Sequence, residues 1–110
     1  MELYQKKYFV ELLSPINFDN GWQPLVNKAI DDIEKVLETS RYHYNSFKIY
    51  EIKEKYGTLR IFTNSPPDIQ IDTIIKKAIN DSEHICEVCG KKATIKNFKV
   101  RCPSCRKKGL

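Results

Sequence analysis

Histidine, glycine and long apolar runs are what this sequence has least of. Its two histidines, His43 and His84, stand in no recognisable catalytic pattern. The four glycines among 110 residues are too few and too scattered to build a glycine-rich phosphate loop. No apolar run approaches the roughly 20 residues that cross a bilayer, which excludes a membrane-spanning helix, and no membrane partner is expected. Residues 1–10 carry Glu2, Lys6 and Lys7 and lack the apolar stretch and small residues of a secretory signal. The expected compartment is therefore the reducing cytoplasm. Neither an internal repeat nor a low-complexity segment occurs.

Cysteine is scarce too, but all of it lies in one place. Cys86-Glu87-Val88-Cys89 and Cys102-Pro103-Ser104-Cys105 close the chain, with twelve residues between the pairs and no cysteine left over. A Cys-x-x-Cys turn aims two thiolates at one point, and a short hairpin between two such turns brings four together. Four sulfur ligands in a closed set fit one structural Zn²⁺ and leave no position for water. Two rivals stand beside zinc. A disulfide pairing would want an export signal. A rubredoxin-type iron site, echoed by Cys89-Gly90 and Cys102-Pro103, would want a longer insertion between the pairs. A catalytic zinc would need an open position or another ligand, and His84 is the one nearby candidate, more simply read as a surface residue at a helix end.

Charge divides the chain at the same point. Residues 84–110 carry Lys91, Lys92, Lys96, Lys99, Arg101, Arg106, Lys107 and Lys108 against Glu87 alone, a net +7, whereas residues 1–83 are net −2, within a total of +5. Four thiolates and one Zn²⁺ would contribute −2, so the basic tail partly neutralises its own metal site.

The spacing of apolar residues predicts an α+β body over residues 1–83 and a four-cysteine zinc ribbon over 84–110, docked on the body because the linker is short. Leu3, Tyr4, Tyr8, Phe9, Leu12 and Leu13 predict a helix over 3–13, ended by Ser14-Pro15. After a loop from Ile16 to Gly21, Pro24 suits a first helical turn. Leu25, Val26, Ala29, Ile30, Ile33, Val36 and Leu37 then share a helix face, opposite Lys28, Asp31, Glu34, Lys35 and Glu38, and Trp22 packs over the helix start. Strands over 46–53 and 58–63 form an antiparallel hairpin that bends at Gly57. A break at 64–68 precedes a helix from Ile69 to Ser82. Ala93, Ile95, Phe98 and Val100 supply two short ribbon strands. The fold class is helices packed on a small antiparallel sheet, followed by the ribbon.

No enzyme is expected. A ββα-metal nuclease would need a catalytic histidine and a downstream asparagine–histidine pattern, both missing. Glu51-Ile52-Lys53 matches half of a restriction-type nuclease core, but Asp31 and Asp32, which would have to supply the partner acid, fall on a helix. Binding residues are easier to nominate. Lys53, Lys55 and Arg60 interleave with Tyr50, Tyr56 and Phe62 around the hairpin. That mixture suits single-stranded nucleic acid, but a hairpin with one core face and one solvated face is the simpler reading of it. Lys91, Lys92, Arg101, Arg106, Lys107 and Lys108 are the ribbon's candidates for a partner or for nucleic acid.

Gly21-Trp22-x-x-Leu25-Val26, the string Ile52-Lys53-Glu54-Lys55-Tyr56-Gly57-Thr58-Leu59-Arg60-Ile61, and Cys86-Glu87-Val88-Cys89-Gly90 after a helix ending at Ser82 resemble a group of short uncharacterised bacterial and bacteriophage proteins. That group joins a Lys-Glu-Lys-Phe-Gly-x-Leu-Arg hairpin to paired cysteines; Tyr56 stands where phenylalanine is usual. The likeness spans about residues 21–105 and carries no site residue across. It implies a phage or mobile-element setting inside a bacterial cell. There, small non-catalytic proteins often bind and inhibit a host or anti-phage defence protein. The expected function is such a zinc-stabilised binding protein; the alternative is a nucleic-acid-binding zinc-ribbon regulator.

Overall fold

A computed structural model describes residues 10–39, 47–64 and 69–110. Two helices lie on a three-stranded sheet, and a four-cysteine module with its own two-stranded ribbon closes the chain. Helix α1 (Gln23–Thr39) buries Val26, Ala29, Ile30, Ile33 and Leu37, the stripe its sequence predicts. Helix α2 spans Ile69–Ser82 and buries Ile71 and Ala78. Strands β2 (Lys48–Lys55) and β3 (Thr58–Thr63) pair antiparallel, with a register shift between Ile49 and Glu51. Ile52 opposes Ile61, and Leu59 shares their face, so that face meets the helices. Glu51, Lys53, Lys55, Arg60 and Phe62 alternate onto the other face.

Residues 10–13 are not helical. Strand β1 (Glu11–Leu12) lies parallel to β2, placing Glu11 beside Lys48 and Leu12 beside Ile49. The Leu13 N–H donates to the Ile49 carbonyl at 2.9 Å, and Val10 is fully buried. Alternation of Val10 and Leu12 toward the core competes with the helical spacing, and pairing to an available sheet edge prevails. The remainder of the predicted helix, residues 3–9, lies outside the described residues, as do His43, the start of the first predicted hairpin strand and most of the break after β3.

Past Pro15 the chain rejoins the sheet edge. The Asn17 N–H donates to the Ile52 carbonyl, and the Glu54 N–H to the Asn17 carbonyl, both at 3.0 Å. Glu34 corrects a second expectation. Rather than facing water it is buried, and its Oε1 accepts from the Val10 N–H at 2.7 Å. Ser82 ends α2 fully buried; its Oγ accepts from the Leu59 N–H at 3.3 Å and donates to the Ile79 carbonyl at 2.6 Å. Among the described residues no helix is long and apolar enough to cross a membrane.

The terminal module holds β4 (Thr94–Lys96), β5 (Lys99–Arg101) and the short helix α3 (Pro103–Lys107). It rests on the body in two places. A single turn of 3-10 helix at Asn20–Trp22 abuts the first cysteine turn. There the Gly21 N–H donates to the Glu87 carbonyl at 2.6 Å, and the Trp22 indole N–H to the Ile85 carbonyl at 2.8 Å. A Cβ on Gly21 would sit 2.1 Å from the Cys86 carbonyl oxygen, so only glycine permits this approach. The second contact joins two hairpin tips: a Cβ on Gly57 would lie 2.7 Å from the Ile95 Cδ1.

Candidate metal centre

The first cysteine pair sits in a tight turn. The Cys86 N–H donates to the Lys91 carbonyl at 2.7 Å, and the Gly90 N–H returns to the Cys86 carbonyl at 2.9 Å. The second pair opens α3: Cys102 occupies the N-cap, Pro103 the first turn, and the Cys105 N–H donates to the Cys102 Sγ at 3.4 Å. Proline suits that place because its missing N–H has no intrahelical acceptor to serve. Strands β4 and β5 close the intervening loop, pairing Ile95 with Val100.

All four sulfurs lie within 4.8 Å of one another, and Cys89 Sγ is 3.5 Å from Cys102 Sγ. A tetrahedral ion with metal–sulfur bonds of about 2.3 Å would set its sulfurs about 3.8 Å apart, within that span. Cys86, Cys102 and Cys105 are buried and Cys89 is exposed. Burial alone would push the Cys86 thiol up. Hydrogen bonds from the backbone of Cys102, Cys89 and Val88 and from the Cys89 side chain outweigh it and bring the thiol down to about 6. The backbone of Cys105 draws Cys102 down as well. Burial, followed by the thiols of Cys102, Cys86 and Cys89, pushes Cys105 up to about 12. Such a quartet cannot ionise fully by itself, because each thiolate opposes the next. A divalent cation removes that opposition, so the donor chemistry fits a soft metal ion. His84 does not belong to the cluster, which among the described residues is the one convergent set of three or more such ligands.

Glu87 and Arg101, each adjacent in sequence to a buried cysteine, form a buried ion pair with Oε1 3.1 Å from Nη1. Arg101 also donates to the Val100 carbonyl at 3.0 Å. Only 8% exposed, it cannot serve the partner-binding role its charge suggested. Lys53 is partly spent: its Nζ lies 2.7 Å from Glu51 and 5.6 Å from the centre of the Phe62 ring. The Arg60 Nε donates to Thr58 Oγ1 at 3.1 Å. Lys91, Lys92, Lys107 and Lys108 are exposed. Arg106 braces the ribbon by donating to the Thr94 and Lys99 carbonyls at 2.9 and 3.2 Å.

Lys55 and Tyr56 stand where the two hairpin tips meet, Lys55 Nζ 5.6 Å from the Tyr56 ring centre. Their neighbour there is Phe98, whose ring meets Tyr56 edge to face at 5.8 Å between centroids. Sequence reasoning placed Phe98 on a ribbon strand, but it lies in the turn before β5 and is exposed; the clue was an aromatic residue following Asn97, where a tight turn favours glycine. A scan of family models, a search of curated proteins and a search of solved structures each return no match to this chain.

Proposed function

We propose that this chain is a non-catalytic binding protein whose four cysteines hold one structural Zn²⁺. The convergence of four thiols into a closed, largely buried set carries the reading. Four protein ligands leave no coordination position for a substrate or an activated water, and four sulfurs select zinc over harder cations. A Zn²⁺ held by Cys86, Cys89, Cys102 and Cys105 would act as a cross-link between two turns of the terminal module. The nuclease alternative loses support because, among the described residues, no set of three or more metal-ligating side chains gathers around Glu51.

Two classes of partner follow. A host or defence protein is suggested by the phage setting that the sequence resemblance implies. Nucleic acid is suggested by the exposed aromatic and cationic side chains at the hairpin tips, and that ground lies in the chain's own residues. The test combines elemental analysis of reduced, purified protein with capture from bacterial lysate, with and without nuclease. One zinc per chain and a retained partner are expected. Absence of metal, or an empty capture in both arms, overturns the proposal.

A further inference from the structure

The two hairpin tips share an uncommon backbone. Tyr56 and Gly57 take φ of 55° and 85°, and Asn97 and Phe98 take 54° and 62°. Both central residues of each two-residue tip are therefore left-handed, the geometry that Asn-Gly fits best. Each tip instead holds one aromatic side chain in a conformation that residues with a Cβ avoid. Packing explains only part of the choice: the two rings meet edge to face, yet Tyr56 remains 63% exposed and Phe98 70%. Strain kept in place to present exposed groups is a mark of binding sites.

The surroundings of these rings are cationic. Beside Phe98, a shallow concavity of about 340 Å³ is lined by Lys96, Asn97, Lys99, Arg106, Gly109 and Leu110, with no acidic side chain. On the other side Lys55 lies over Tyr56, and Arg60 and Phe62 continue along the open face of the sheet, where Lys53 is paired with Glu51. The one acid at the body tip, Glu54, is engaged by the Gly57 N–H at 2.7 Å. The exposed apolar side chains here, Tyr56, Ile95 and Phe98, are ringed by cations, unlike the charge-depleted core of a protein interface. Aromatic faces flanked by cations meet what single strands offer, unpaired bases to stack and phosphates to neutralise.

We infer that the joined hairpin tips form a single-stranded nucleic-acid site, with bases stacked on Tyr56 and Phe98 and the backbone drawn into the Lys96–Lys99–Arg106 concavity. The inference rests on the binding-protein reading and names its partner class. Duplex is disfavoured because its bases are already stacked.

Fluorescence anisotropy of the zinc-loaded full chain with labelled oligo-dT, oligo-U and matched duplex tests the site. Single strands should bind in preference to duplex at about 50 mM salt and weaken steeply by about 200 mM. Phe98→Gly and Tyr56→Asn each give a tip the Asn-Gly sequence it favours, so zinc content and melting temperature should hold or rise. Affinity should nevertheless fall about 5- to 160-fold, the range for one lost stack. Lys96→Ala with Lys99→Ala should reduce the slope of log affinity against log salt by about 1.4. No binding of either single strand at about 50 mM salt overturns the site, as does unchanged affinity in both tip variants. A nuclease-resistant protein partner released by Phe98→Gly would also overturn it, by giving this surface to a protein, and would leave the binding-protein reading standing.

Discussion

Glu87 shows how much one side chain between two cysteines can carry. Its Oε1 meets Arg101, its Oε2 accepts from the Asp19 N–H at 3.0 Å, its carbonyl accepts from Gly21, and its own N–H donates to the Val100 carbonyl at 3.1 Å. Body, first cysteine turn and β5 thus converge on one residue. Removing the carboxylate leaves a buried guanidinium without its counter-charge, so Glu87→Ala should cost about 3–5 kcal/mol in urea denaturation of the metal-loaded protein. Replacing both partners with apolar side chains, Glu87→Leu with Arg101→Met, should recover most of that loss, because no buried charge then remains. A cost below about 1 kcal/mol for Glu87→Ala would mean that water reaches Arg101. Gly21→Ala tests the other half of the contact. Its methyl would overlap two carbonyl oxygens, and a loss of about 3 kcal/mol is expected in the same denaturation experiment, since backbone cannot yield as a side chain can. At this scale the cysteines were legible because their spacing is local. Arg101 was misjudged because charge read along a chain does not reveal which cation finds a buried partner, and Glu34 was misjudged for the same reason.

At the scale of elements, the terminal module would need an ion in its four-cysteine cluster to hold together, whereas the body has a hydrophobic core of its own. β4 and β5 have three residues each and α3 has five, lengths that do not hold in water unaided. Stripping the metal with a chelator should therefore unfold residues beyond about Ile85 while α1 and α2 keep most of the far-ultraviolet circular dichroism. Trp22, the single tryptophan, reports on the event, since its fully buried indole donates to the Ile85 carbonyl. Its emission should move to longer wavelength on chelation, return with zinc, and move likewise as acid protonates the thiolates. Unchanged emission after verified metal loss would refute this dependence. Helices α1 and α2 and the β2–β3 hairpin were readable from apolar periodicity and from Gly57. Strand β1 was not, because two residues carry no period of their own; a partner strand more than thirty positions away decides their conformation.

For the molecule as a whole, two short segments of the body are contact surfaces for the terminal module. Gly21-Trp22 meets the first cysteine turn, and the Tyr56-Gly57 tip meets Ile95 and Phe98 of the ribbon. Sequence order hides these meetings, since each joins residues some forty or more positions apart. Their consequence is thermodynamic: a metal that binds only the folded module stabilises whatever the module is fastened to, and the body in turn supports metal affinity. Trp22→Phe isolates the effect. It keeps an aromatic ring at the site but removes the donor to the Ile85 carbonyl, an interaction worth about 1 kcal/mol. Neither a cysteine nor any cysteine backbone contact is touched. Zinc affinity, measured by competition with a chromophoric chelator, should nonetheless fall about fivefold, the equivalent of that energy. The metal-loaded melting temperature should drop with it. Unaltered affinity alongside a lowered melting temperature would show that body and module fold independently, each stable without the other's contacts, and the coupling argued from Gly21, Trp22 and Gly57 would then have no energetic content.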